Sequence, residues 1–166
     1  MATGELIAEV GVGRVTHRAV AARAGVPLGA TTYYFPTLGD LVTAGLEHMT
    51  GTLVAGLDEW ARRLGDGSDL PRVLAGLVEE YLAHPRQVLR EYELYLAAAR
   101  APELRPLARA WLDGVRDLLA PLVGPATARS VAALLDGVVV QCLVTGEPVD
   151  RPALETAITA LRHVEG

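Results

Sequence analysis

The chain has 166 residues, 51% of them hydrophobic and 21% charged, with a formal net charge of −5, enough for one or two compact units with a real core. No uninterrupted apolar run approaches the ~18 residues of a membrane span, and Met1 leads neither a basic stretch nor an apolar signal core, so a cytoplasmic protein is expected. The single Cys142 excludes an internal disulfide, has no partner at metal-ligand spacing and reads as a small buried hydrophobe. Every basic side chain is arginine, and the acidic balance alone argues against nucleic acid. By region the sign reverses: no acidic residue lies between Glu9 and Asp40, whereas Arg14, Arg18 and Arg23 do.

The first predicted helix covers 5–10, with Leu6, Ile7 and Val10 on one face. The next helix starts at Thr16, whose hydroxyl can accept a bond from a free backbone N–H, and runs over 16–24. Val20, Ala21 and Ala24 share its inner face, leaving Arg18 and Arg23 for solvent or phosphate. Gly25 ends that helix, and Pro27 is tolerated where another begins. The following helix, 28–34, opens with the small, hydroxyl-rich run Gly29, Ala30, Thr31, Thr32 before Tyr33 and Tyr34, and would fit a major groove closely. Two short helices hinged at a glycine form a helix-turn-helix, which points at DNA.

From Val15 to Phe35, and on through Pro36-Thr37-Leu38-Gly39-Asp40-Leu41, the chain resembles the DNA-binding domain of the tetracycline-repressor (TetR) family. The resemblance covers 6–46 at the level of motifs and the rest as a pattern of helices. It implies phosphate contacts at Thr16 and Tyr34, and groove or base-edge contacts at Arg18, Leu28, Gly29, Ala30, Thr32 and Tyr33. His17 joins this DNA-binding set, and Val20 and Phe35 are expected in the core. Two departures stand out: Leu38 occupies a place where many members carry a phosphate-reaching lysine, and the first helix is about half the family's usual length. Either the native start lies upstream or the protein works with a clipped brace.

Beyond Thr37 the pattern is helical throughout. Thr37 and Asp40 form a capping-box signature, and Val42, Leu46, Met49, Leu53, Leu57, Trp60 and Leu64 recur at steps of three or four, which predicts one helix of about seven turns. Such a lever would begin beside the DNA reader and end in a second domain. Further helices are expected over 70–83, 86–100, 103–123, 126–145 and 152–164, nine in all. Val131, Leu134, Leu135, Val138, Val139, Val140, Cys142, Leu143 and Val144 surround one of them, so its second face is assigned to another copy of the chain. Leu154, Ile158 and Leu161 would join it. Helices 126–145 and 152–164 of two subunits then make a four-helix interface, as the resemblance also implies, with readers roughly 34–36 Å apart on a near-palindromic operator.

Candidate effector-binding residues are Trp60, Tyr81, Tyr92, Tyr95 and Trp111, whose rings offer an apolar wall and a polar tip, together with Gln141. Gln141 and Asp136 either line the cavity or bond across the dimer. Glu93 is read as solvated, or as a carboxylate facing a cationic ligand. No cofactor is implied. No nucleophile elbow surrounds Ser68 or Ser130, the four histidines are scattered, and Glu80 with His84 lacks the repeat that a bundle metal site needs. The expectation is an all-α, non-enzymatic protein: an amino-terminal three-helix helix-turn-helix DNA-binding domain (1–46) and a carboxyl-terminal helical ligand-binding and dimerisation domain (47–166). It would act as a one-component transcriptional repressor, with operator DNA, a small-molecule effector and a second copy as partners, and without a membrane. The alternative is a helical ligand-binding, dimerising protein that has lost operator binding.

Overall fold

The computed structural model describes residues 2–100, 102 and 105–163, apart from the side chains of Ala8, Met49, Leu53, Leu94 and Leu107. The side chains of the expected core positions Met49 and Leu53 are therefore outside the description, and the start of the seventh helix at Glu103 and the end of the ninth at Val164 lie outside the described residues. Among the described residues every long element is an α-helix and no strand occurs: α1 (Ala2–Val10), α2 (His17–Ala24), α3 (Leu28–Tyr34), α4 (Leu38–Leu64), α5 (Leu70–Leu82), α6 (Pro85–Arg100), α7 (Arg105–Val123), α8 (Pro125–Thr145) and α9 (Arg151–His163). A 3₁₀ turn over Val12–Arg14, which the apolar periodicity does not signal, follows α1.

Two compact units form, Met1–Leu53 with Arg86–Trp111, and Val54–Pro85 with Leu112–Gly166. Each is thus discontinuous in sequence, and α4 supplies residues to both. The first unit is built on Leu6 and Ile7 of α1, Val15, Val20 of α2, and Leu41, Val42 and Leu46 of α4, with Ala97, Ala98 and Ala108 completing the cluster. Arg14 Nε donates to the Val10 carbonyl at 2.8 Å and so satisfies a carbonyl at the end of α1.

Where α1 crosses α4, a Cβ built on Gly45 would lie 2.6 Å from Thr3 Cγ2 and 2.7 Å from Thr3 Cβ. Glycine to alanine in a helix is ordinarily worth about 1 kcal/mol in favour of alanine. Here the clash with a β-branched side chain held at its own backbone opposes that gain, and overpacking costs of about 1–3 kcal/mol decide the sign. Gly45→Ala is therefore expected to lower the denaturation midpoint, and Thr3→Gly to restore part of it. An unchanged or raised midpoint by far-ultraviolet circular dichroism would contradict the close crossing.

The second unit is centred on α5, whose Leu70, Leu74, Ala75, Leu77 and Val78 are buried. Its principal neighbour is α9, and α8 lies against both. Leu154 and Ile158 of α9 are buried here, Ile158 completely, and so serve the subunit's own core instead of a surface for a second copy. A side-chain line on a helix shows that a face is covered and not what covers it. Arg63 binds Glu80 through both guanidinium nitrogens at 2.5 and 2.8 Å, holding that carboxyl below the usual range, and Arg151 joins Glu79 at 3.1 Å. The acidic face of α5 is thus engaged by arginines, and no group of three metal-ligating side chains occurs among the described residues.

Helix α8 divides its apolar residues. Val131, Leu135 and Val139 form a buried stripe, whereas Val140 is 42% and Val144 80% exposed. By length and composition it is the one helix among the described residues able to cross a membrane, although the chain has no uninterrupted apolar run of that length. The average over 18 residues tolerates Asp136 and the small polar residues that break the run, and about a third of that window is buried inside the protein.

Candidate nucleic-acid interface

Local backbone chemistry builds the helix-turn-helix. Thr16 adopts an extended conformation and its Oγ1 accepts from the Ala19 N–H at 3.1 Å, starting α2. Gly25 sits at φ 67°, ψ 28°, a left-handed conformation that costs an L side chain but not glycine, while Val26 N–H returns to the Ala21 carbonyl at 3.0 Å. The chain leaves through Pro27, and α3 follows at once. Val20 and Ala21 face the core, as does Thr31, whose hydroxyl donates to the Leu28 carbonyl at 2.8 Å. The entry to α4 is closed by a reciprocal cap: Asp40 Oδ2 accepts from the Thr37 hydroxyl at 2.8 Å and the Thr37 N–H at 3.0 Å, and Asp40 N–H donates to Thr37 Oγ1 at 3.1 Å. Those bonds stabilise the ionised carboxylate and hold the Asp40 pKa below its ordinary value.

The opposite face is open. Thr16, Arg18, Leu28, Gly29, Thr32, Tyr33 and Tyr34 are exposed, while His17 and Ala30 are half-buried. Tyr33 and Tyr34 are 80% and 72% exposed, yet pack edge to face with ring centroids 5.2 Å apart, so that large aromatic surface is held in water by a fixed local arrangement. Phe35 turns inward against the core of this unit. Arg18 makes no ion pair among the described residues. Arg23, by contrast, is engaged. Its guanidinium spans both Glu9 oxygens at 3.0 and 2.5 Å and reaches Glu5 at 3.5 Å. That hydrogen-bonded pairing lowers the Glu9 pKa and raises that of Arg23. The acid-free window around Arg23 is therefore supplied with carboxylates from α1, which spacing along the chain does not reveal.

The effector candidates are divided between the two units. In the second unit Trp60 and Tyr81 meet at near right angles with ring centroids 6.5 Å apart. Gln141, exposed, lines a groove of about 360 Å³ between α8 and α9 with Cys142, Thr145 and Ala157. In the first unit Tyr92 and Tyr95 pack at 5.4 Å, Tyr95 lying against the core cluster, and Trp111 is half-buried. The half-buried Glu93 is not the enclosed carboxylate of α6: Glu91 is, at 7% exposure, with Gln87 Nε2 donating to its Oε1 at 3.0 Å. Gln87 one helical turn earlier is the only sequence signal for it.

Residues 65–164 match the family model described as the tetracyclin repressor-like C-terminal domain. Among solved structures, the chain is similar to a TetR-family member from Streptomyces coelicolor A3, at 40% identity and a TM-score of 0.85, over 96% of this chain and 93% of that one. It is also similar to the multidrug binding protein EbrR. The EbrR complex with proflavin is 40% identical over 96% of this chain and 95% of that one, with a TM-score of 0.82. The ethidium complex gives 40%, 96%, 94% and 0.83. No curated protein matches the chain.

Proposed function

Because the chain belongs to the TetR family of bacterial transcriptional regulators, we propose that it is a homodimeric, cytoplasmic, one-component repressor released from operator DNA by a small-molecule effector. It is a transcriptional regulator and not an enzyme. The observation that carries the operator reading is the exposed face of α2 and α3, where Arg18, without an ion pair among the described residues, stands with two water-exposed tyrosines in a stretch free of acidic residues. Arg18 suits a base edge, and the Thr16 and Tyr34 hydroxyls suit phosphates. Thr32 and the small Gly29 and Ala30 let α3 sit deep in a groove.

Dimerisation is assigned to α8 and α9. Val140 and Val144 remain uncovered on α8, and Ala153, Ala157 and Ala160 give α9 a low face once Leu154 and Ile158 are spent on the subunit's own core. A second copy satisfies this apolar surface without a lipid bilayer. The 1–46 and 47–166 division is retained as the functional one, reader and effector body, although the compact units interleave in sequence.

EbrR holds proflavin and ethidium, flat aromatic cations. An effector of that class would suit aromatic walls such as the Trp60 and Tyr81 pair, since a cation gains over a ring face what a neutral molecule does not. Tyr92, Tyr95, Trp111 and Gln141 remain candidate contacts. A ligand that prefers the arrangement of readers unable to hold DNA lowers operator affinity by its differential affinity for the two states, and DNA weakens the ligand in return. Continuous α4 is the proposed lever.

The test is fluorescence-anisotropy binding of the full chain to the duplex upstream of its own gene, across a salt series and against a scrambled duplex. Specific binding that weakens with salt and saturates at two protomers is expected. Proflavin binding to the DNA-free protein is followed by calorimetry, which keeps intercalation out of the reading. Ligand binding without operator binding would favour the alternative, a ligand-binding bundle that no longer reads DNA.

A further inference from the structure

Arg23 offers the reader a third arginine in sequence and withholds it in structure. On α2 it lies five residues beyond Arg18, roughly 140° around the helix, which turns it away from the face bearing Arg18. There its planar fork matches both oxygens of Glu9, at 3.0 and 2.5 Å, with Glu5 at 3.5 Å on the same guanidinium. Glu5 and Glu9 are one turn apart on α1, the helix whose Leu6 and Ile7 are buried in the core of this unit. The arginine thus ties the outer face of α1 to the last turn of α2, beside the Gly25 turn that sets the direction of α3.

We infer that Arg23 is a positioning residue of the DNA reader, which clamps α1 to the helix-turn-helix through Glu9 and Glu5 and makes no phosphate contact. The inference rests on the operator reading of α2 and α3. Three features support it: the bidentate geometry specifies one orientation, a lysine could not reproduce it, and two carboxylates already neutralise the charge that a phosphate would need. Exposed pairs of this kind are individually weak, so a modest effect is expected, but its pattern is distinctive.

The experiment compares wild type, Arg23→Gln, Glu9→Gln, the double variant and Arg23→Lys. Arg23→Gln makes the subunit more negative and Glu9→Gln makes it less so, and long-range attraction to DNA would move their affinities in opposite directions. A clamp moves them together. Each single variant is expected to weaken operator binding by about two- to five-fold. The double variant is expected to be no worse than either, Arg23→Lys to behave like Arg23→Gln, and the salt dependence to stay as in wild type.

A phosphate ligand behaves otherwise: Arg23→Gln, lost from both protomers, would flatten the logarithmic salt slope by about two, Glu9→Gln would tighten binding, and Arg23→Lys would retain wild-type behaviour. That result, or additive losses, overturns the inference. Amide hydrogen exchange of Leu6 and Ile7 in the DNA-free protein supplies an independent arm. Equal acceleration in Arg23→Gln and Glu9→Gln supports the clamp, and unchanged exchange overturns it. If wild type fails to bind the operator, the functional reading alone falls and the exchange arm still decides.

Discussion

Val144→Arg is expected to yield a folded monomer whose operator affinity falls by about 10²-fold or more. The residue is 80% exposed within the subunit, so an arginine there disturbs no packing in the monomer. In an isologous interface the same position appears twice, and each of the two guanidinium groups would be buried without a partner in a surface that excludes water. Once the subunits separate, each reader binds alone, and the gain of about 10²–10⁴-fold from linking two weak contacts is lost. Sedimentation equilibrium, far-ultraviolet circular dichroism and anisotropy together check this. A variant that stays dimeric would place the interface away from this end of α8, and a variant that unfolds would mean that Val144 is covered within the subunit.

Arg18→Ala and Tyr34→Phe are expected to separate sequence reading from positioning. Arg18 is exposed and makes no ion pair among the described residues, so its fork is available to a base edge. Its removal should cost about 1–3 kcal/mol of discrimination at one base pair, a change of roughly 5- to 150-fold against operators altered there, with other positions still read. Tyr34→Phe keeps the ring and its contact with Tyr33 at 5.2 Å but loses the hydroxyl. Binding should weaken by about tenfold to every operator alike, because a phosphate contact carries no sequence information. A panel of single-base operator variants tests both proteins. Equal profiles would contradict the division of labour between Arg18 and Tyr34.

The legible parts share one property: their physics closes within a few residues. Thr16 and the Ala19 N–H, Gly25 and its left-handed turn, and the Thr37 and Asp40 cap each join groups at most five apart, and all appear where their spacing puts them. The 3₁₀ turn at Val12–Arg14 leaves no signal in the sequence because so short a segment has no apolar period. The burial of Glu91 is not a local property either. It depends on what α6 packs against, whereas the place of Glu93 between two tyrosines is visible along the chain and says nothing of burial.

The sequence by itself determined an all-helical chain, the helix-turn-helix with its open face, and a family whose members regulate transcription. Helix periodicity, caps and breakers are local, so they are written in order along the chain. Only the tertiary structure decided the partners of side chains far apart in sequence. It gave Arg23 to Glu9, fourteen residues away, and Arg151 to Glu79, seventy-two away. It also spent Leu154 and Ile158 on the core while leaving Val140 and Val144 uncovered. An arginine or an apolar stripe states what it needs, a carboxylate or a dry surface, but many positions could supply it. Which one does is settled when the helices pack.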